Sequence, residues 1–203
     1  MISAILLAAG ESTRMGRTKQ LLSFGESTIF GETVKNLLAA EIDELIIVLG
    51  HDAEKLKNSL ASRDPRIIYV VNRQYREGIS TSIKCGIIST NPETEAFLFA
   101  LADQPLIRTE IIDLLIRRYN SGSTGIVTLT YRSARGHPVI ISRKYQSDLL
   151  SLSGDVGARR ILERHKDDVE IVEIDSPEIL FDVDREEDYA QLKNAMVDHP
   201  EGS

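Results

Sequence analysis

Short, nearly continuous apolar runs alternate with longer amphipathic segments along the 203 residues, and no other feature limits the possible folds as much. The apolar runs cover residues 2–7, 45–49, 67–71, 96–101, 125–130, 138–141 and 169–174. A strand that is apolar at consecutive positions hides both faces, so it needs cover on both sides. Helical patterns at 28–40, 53–61, 81–88, 110–120, 144–150, 157–164 and 186–196 supply that cover. Strands alternating with helices give an α/β fold with a mostly parallel sheet and helices on both faces. Asp52 is placed to cap the helix at 53, and Thr109 with Glu110 suits the start of the one at 110. One compact domain over 1–197 is expected, with a frayed polar tail at 198–203.

Charge and composition remove several function classes. A net charge of -7 argues against a nucleic-acid polymer as partner, because phosphate-backbone binding needs a basic face. It leaves room for a single nucleotide held by a local cationic loop. No apolar run approaches the roughly 20 residues of a membrane span, and no basic-then-apolar leader is present, so no membrane partner is expected. Cys85 is the only cysteine, which excludes an internal disulfide and a cysteine-based zinc site. A cytoplasmic protein is the simplest expectation.

In sheets of this kind ligands bind beyond the carboxyl ends of the strands. Two motifs stand there. LAAGESTRMGRTK, residues 7–19, follows the first strand and holds Gly10, Gly16, Ser12, Thr13, Arg14 and Lys19. Glycines let a backbone approach phosphate oxygens, successive amides form an anion nest, and arginine adds a planar fork. Neither the P-loop spacing nor the dinucleotide fingerprint fits this stretch. In FALADQPLI, residues 99–107, ADQP follows the fourth run and sets Asp103 at its end. A carboxylate there suits magnesium, which takes one or two carboxylates together with phosphate oxygens and water.

The first loop resembles the LAAGxSxRMGxxK signature of nucleotidyltransferases, and its continuation KQLLSFGESTIF resembles the MocA-like branch, the molybdenum cofactor cytidylyltransferases and their relatives. Sibling MobA-type guanylyltransferases carry LAGG and DK where this chain has LAAG and TK. The resemblance implies a single-domain, Rossmann-like nucleotidyltransferase fold. It also implies nucleotide contacts along Leu7, Ala8, Ala9, Gly10, Ser12, Arg14 and Lys19, with Arg14, Lys19 and Asp103 in catalytic roles.

Other segments gain meaning beside that likeness. NRQYREGISTSIKCGI, from Asn72, reads by itself as a loop entering a helix with Ser80 or Thr81 as cap. The resemblance sets Asn72, Gly78, Ser80 and Ser82 against the base and ribose. SARGHPVIIS joins a Gly-His-Pro turn to a strand, and His137 either contacts the acceptor substrate or shapes the turn. In SGDVGARRIL, Asp155 reads as a helix cap, while the resemblance makes Asp155 and Arg159 acceptor contacts. FDVDREEDY precedes the last helix, and the family segment there brings back a second metal ligand, Asp184 or, in reserve, Asp182.

The expected function is therefore magnesium-dependent transfer of CMP from CTP to the phosphate of a molybdopterin-type cofactor, releasing pyrophosphate. A phosphorylated sugar or isoprenoid precursor is the alternative acceptor, and a non-catalytic molybdenum cofactor carrier or chaperone the alternative class. Transient contact with a molybdoenzyme or its chaperone would follow from the first reading.

Overall fold

The computed structural model describes residues 1–198. Seven strands form one sheet: β1 (Ile2–Ala8), β4 (Glu44–Leu49), β5 (Ile67–Val71), β6 (Ala96–Leu101), β7 (Ile126–Tyr131), β8 (Ala134–Ser142) and β9 (Val169–Glu173). A small hairpin of β2 (Ser23–Phe24) and β3 (Ser27–Thr28) stands apart. The sheet order is β5-β4-β1-β6-β8-β7-β9. β8 alone runs antiparallel, between β6 and β7. All seven apolar runs are strands, so the mostly parallel α/β sheet expected from their alternation is the one found.

Alternate residues of one strand feed two separate cores, as the pleat requires. Leu45, Ile47 and Leu49 pack toward α1 (Ile29–Ala39), α2 (Ala53–Ser59) and α4 (Thr109–Ser121). Ile46 and Val48 pack on the opposite face with α3 (Ile79–Ile88), α5 (Gln146–Ser151) and α6 (Arg159–Arg164). Successive strands from β1 run outward through β4 to β5, and the chain then returns to lay β6 on the other side of β1. That reversal opens a crevice between the carboxyl ends of β1 and β6, where Gly10 and Asp103 stand.

The last helix, α7 (Glu186–Asp198), docks by a small apolar patch. Val183, Tyr189 and Leu192 bury against Leu22 and Ile29, and the Tyr189 hydroxyl donates to the Ser23 carbonyl at 2.9 Å. Each fully buried apolar side chain is worth about 1.5–3 kcal/mol. The half-exposed Arg17–Glu186 ion pair (2.8 Å) adds about 1 kcal/mol at most. Apolar docking therefore holds this end of the chain against the β1 loop. Among the described residues no helix is long and apolar enough to cross a membrane. The expected tail lies, beyond Asp198, outside the described residues.

Several local readings change. Asp52 occupies the position before α2 but is left-handed (φ 51°) and makes no cap bond. Its carboxylate instead accepts from the Thr18 hydroxyl and from Lys55 (2.9 Å). The expected start of α4 holds, with Thr109 its first residue and Glu110 in its first turn, while the Thr109 hydroxyl donates to the Asn36 carbonyl (3.1 Å). Gly78, not Ser80 or Thr81, takes the cap position of α3. Ala158 takes that of α6, with no cap bond from Asp155. His137 lies inside β8, and the hairpin turns at Arg132 and Ser133, both at positive φ. At Asp52 it is a contact distant in sequence, with Thr18, that claims the side chain local sequence would use at a helix end.

Candidate active site

An open cleft of about 820 Å³ lies over the crevice. The loop from Ala9 to Lys19 forms one wall, turning through a Met15 N–H to Ser12 carbonyl bond (3.0 Å). Ser12 holds this loop in shape. Its hydroxyl donates to Gln20 Oε1 (3.2 Å) and accepts from the Lys19 amide (3.3 Å). Gly16, at φ 63°, sits where a side chain would be strained.

Four of the expected charged groups meet here. Lys19 Nζ lies 2.5 Å from Asp103 Oδ2 and 2.6 Å from Asp184 Oδ1. Arg14 approaches the other Asp184 oxygen, Oδ2, at 2.6 Å. Asp103 comes from the end of β6, and Asp184 from the segment before α7. The Val183 amide, donating to the Asp103 carbonyl at 3.1 Å, fastens that segment to the strand end. Lys19 is buried rather than an exposed loop residue, its side chain only 11% exposed, because it opens a short 3-10 turn (Lys19–Leu21) beneath the cleft. Burial disfavours its ammonium, but Asp103 and Asp184 outweigh that and hold its pKa above the usual lysine value. Hydrogen bonding to Lys19 holds the Asp184 carboxyl below its ordinary range.

One buried atom in this cluster has no partner: Asp103 Oδ1. A solvent-shielded carboxylate oxygen left bare is costly unless something else occupies it. Beside a second carboxylate, and in a cleft open to phosphate oxygens, it fits a hard divalent cation. Asp182 plays another part, accepting from Gln104 Nε2 at 2.5 Å. Desolvation, followed by the charge of Asp103, pushes its carboxyl up to about 6.

The far wall carries Tyr75, Arg76, Gly78 and Ser82. Glu11 reaches across to Arg76 Nε (2.7 Å) and the Tyr75 hydroxyl (3.3 Å). Gly78 is at φ 107°, and a Cβ there would be driven into the carbonyl of Gly154. Only glycine lets these two loops meet. Leu7, Ala9, Gly10, Ser12, Arg14, Lys19, Gly78, Ser82, Asp103 and Asp184 thus line the cleft. Ala8, Asn72 and Ser80 stand behind its wall. Asn72 donates to Thr81 Oγ1 (2.8 Å) and Ser82 Oγ (3.0 Å), while Ser80 Oγ is buried without a partner.

A second cleft, of about 580 Å³, lies between the β7–β8 hairpin and α6. His137 and Arg159 line it, with Arg135 beside them, whereas Asp155 faces the first cleft. Burial holds the His137 pKa below its usual value, partly opposed by the charge of Asp103. The imidazole is therefore neutral near pH 7 and lines the second cleft. Gln20, Glu11, Arg76, Gln104 and Arg135 received no role from the sequence. Glu11, Gln20 and Gln104 stood next to residues that did, and that adjacency was the available signal.

Comparison with known proteins identifies the family. Residues 4–169 match the MobA-like NTP transferase domain. The chain is 27% identical over 197 residues to the molybdenum cofactor cytidylyltransferase of Escherichia coli (strain K12), covering 97% of this chain and 98% of that one. It is 29% identical over 200 residues to nicotine blue oxidoreductase of Paenarthrobacter nicotinovorans, with coverage of 94% and 96%. Its fold is similar to the crystal structure of Rv0371c from Mycobacterium tuberculosis H37Rv in complex with manganese, at a TM-score of 0.78 and 26% identity over 94% and 96% of the two chains. With that domain matched over most of its length, the chain belongs to the MobA-like NTP transferase family and is a nucleotidyltransferase of that type.

Proposed function

We propose that the protein transfers CMP from CTP to the phosphate of a molybdopterin-type acceptor, with magnesium as the cation. The meeting of Lys19, Asp103 and Asp184 under the glycine loop carries this reading, because it assembles charges for a triphosphate and its metal in one place. An acceptor phosphate oxygen bonds to the α-phosphorus, the bond to the bridging oxygen opposite it breaks, and pyrophosphate leaves. Such transfer depends on positioning and charge neutralisation rather than on a protein nucleophile. Asp103 and Asp184 would hold the magnesium ion, which when bound polarises phosphate oxygens and neutralises their charge. Arg14 and Lys19 hold the departing phosphates. The loop backbone, open at Gly10, approaches them closely. Ser82 and Gly78 border the nucleoside end, with Asn72 and Ser80 supporting that wall from behind.

The acceptor enters from the second cleft, where neutral His137 both donates and accepts hydrogen bonds and Arg159 attracts an anion. Asp155 lines the first cleft and precedes, in the chain, Ala158 and Arg159 of the second. The relatives' names support the molybdenum cofactor branch over a sugar or isoprenoid acceptor. A carrier without turnover would not need the loop cations and both carboxylates in one cleft. The compartment in this reading is the cytoplasm, and the product passes to a molybdoenzyme or its chaperone. Pyrophosphate release in competition between equal CTP, GTP and ATP, with a molybdopterin-type acceptor, tests the reading. CTP-dependent release is expected. A GTP preference overturns the base assignment, and release only with sugar or isoprenoid phosphates overturns the acceptor.

A further inference from the structure

We propose that Lys19 keeps a free divalent cation out of the site, so that the cation is admitted only together with a triphosphate. This rests on the reading above, in which Asp103 and Asp184 hold the cation. Of the four carboxylate oxygens, three are taken by the protein's own cations. Lys19 Nζ holds Asp103 Oδ2 at 2.5 Å and Asp184 Oδ1 at 2.6 Å, and Arg14 holds Asp184 Oδ2 at 2.6 Å. Only Asp103 Oδ1 stays free. These are short, charge-assisted contacts, and Lys19 is almost fully buried with no other anion in contact.

A lone divalent ion would have to strip Lys19 of both partners. It would then face an ammonium held a few ångströms away in a shielded cleft, a strong like-charge repulsion. A triphosphate removes both obstacles. Its oxygens offer the Lys19 ammonium new partners, and Lys19 turns from the carboxylates toward them, leaving the carboxylate oxygens to the incoming ion. Nucleotide and cation then bind with positive coupling, and by linkage each raises the affinity for the other by the same factor. Lys19 acts in two states: counter-ion to the carboxylates in the free protein, and phosphate ligand in the complex.

The test is a manganese titration of the nucleotide-free protein, read as loss of the free Mn²⁺ signal in electron paramagnetic resonance. Lys19→Met keeps the stem and removes the charge, and Lys19→Gln also keeps a donor for Asp103 should the methionine variant fail to fold. At least tenfold tighter Mn²⁺ binding than in the unmodified protein is expected for both. Lys19→Arg should show no gain. Adding Asp103→Asn to either uncharged variant should abolish the gain. Binding no tighter in folded Lys19→Met or Lys19→Gln, or a gain that survives Asp103→Asn, overturns the proposal. A separate titration with CTP present keeps the underlying reading distinct. If Asp103→Asn does not weaken Mn²⁺ binding there, the metal assignment itself fails. If it does, but the lysine variants show no gain without nucleotide, only the excluding role of Lys19 fails.

Discussion

The two clefts differ in how far their charges are already committed. In the first, Lys19, Arg14, Asp103 and Asp184 neutralise one another, and Glu11 pairs with Arg76. In the second, His137 is held neutral, Arg159 is 83% exposed with only its helix neighbour Glu163 (3.0 Å), and Arg135 makes no ion pair among the described residues. A ligand of the first cleft must therefore exchange partners with the protein. A ligand of the second meets positive charge that is nearly free. The first arrangement favours selectivity through exchange, the second attraction of an anionic substrate from solution.

The comparison breaks most directly at Asp103. Asp103→Asn keeps the shape of the side chain but removes the charge that faces Lys19. In the proposed reaction kcat should fall roughly 10²–10³-fold, the usual loss when one preorganised electrostatic group is removed. The melting temperature should change little, because Lys19 still has Asp184. Steady-state kinetics with thermal melts checks both, and a kcat within twofold of the unmodified protein would detach the first cleft from the chemistry.

The seam between the clefts gives the next largest effect. Gly78 carries α3 against the Gly154 carbonyl, and Gly154 leads to Asp155 and the loop before α6. Gly78→Ala combines positive φ with a collision against backbone that cannot swing aside. A loss of about 2–3 kcal/mol in folding stability is expected by urea denaturation. Both Michaelis constants should rise together, because Gly78 lines the first cleft and the loop it meets runs on to Ala158 and Arg159 of the second.

Gly78 also marks what sequence could and could not disclose. The strands were legible because burial on both faces writes apolar residues at consecutive positions, as in Leu45 to Leu49. The loop cations and Asp103 were legible from their place after a strand. Antiparallel β8 was not legible, because the apolar run at 138–141 has the same composition whichever way it points. The cap expected of Asp52 failed because the Thr18 hydroxyl claims its carboxylate across 34 residues, and that of Asp155 because α6 starts later, behind Ala158. The depth of Lys19 was equally hidden. Its carboxylate partners lie 84 and 165 residues away, counting from 19 to 103 and to 184.

The second cleft yields a smaller, selective effect. Arg135→Ala removes a guanidinium with no structural partner among the described residues, so stability should not move. If the cleft takes an anionic acceptor, the acceptor KM should rise about tenfold, within the range of one charged hydrogen bond at a solvated site. The KM for nucleotide should stay unchanged. Added salt should weaken acceptor binding in the unmodified protein and do so less in the variant. Equal rises in both constants would mean that the clefts are not divided between the two substrates.

The smallest effect separates two neighbouring carboxylates in the absence of metal. Asp182 is pushed up to about 6, while Asp184 is held below its ordinary range by Lys19. Their contributions to stability run in opposite directions. Between about pH 4 and 6 the folded protein binds more protons at Asp182 than the unfolded chain does, so this group lowers stability as pH rises through that window. Asp184 adds stability above the unfolded carboxyl pKa near 4 and loses it as pH falls through its own lower value. Asp182→Asn should therefore stabilise the protein by about 1 kcal/mol at pH 7.5, a figure reduced from the full shift because solvent reaches this residue. Near pH 4 the gain should vanish, since Asp182 is already protonated in the native protein. Urea melts with chelator at both pH values read the difference. A variant equally stable at pH 7.5, or more stabilised at pH 4, would show that burial and the nearby Asp103 do not raise Asp182, and that the first cleft is less crowded with negative charge than its geometry requires.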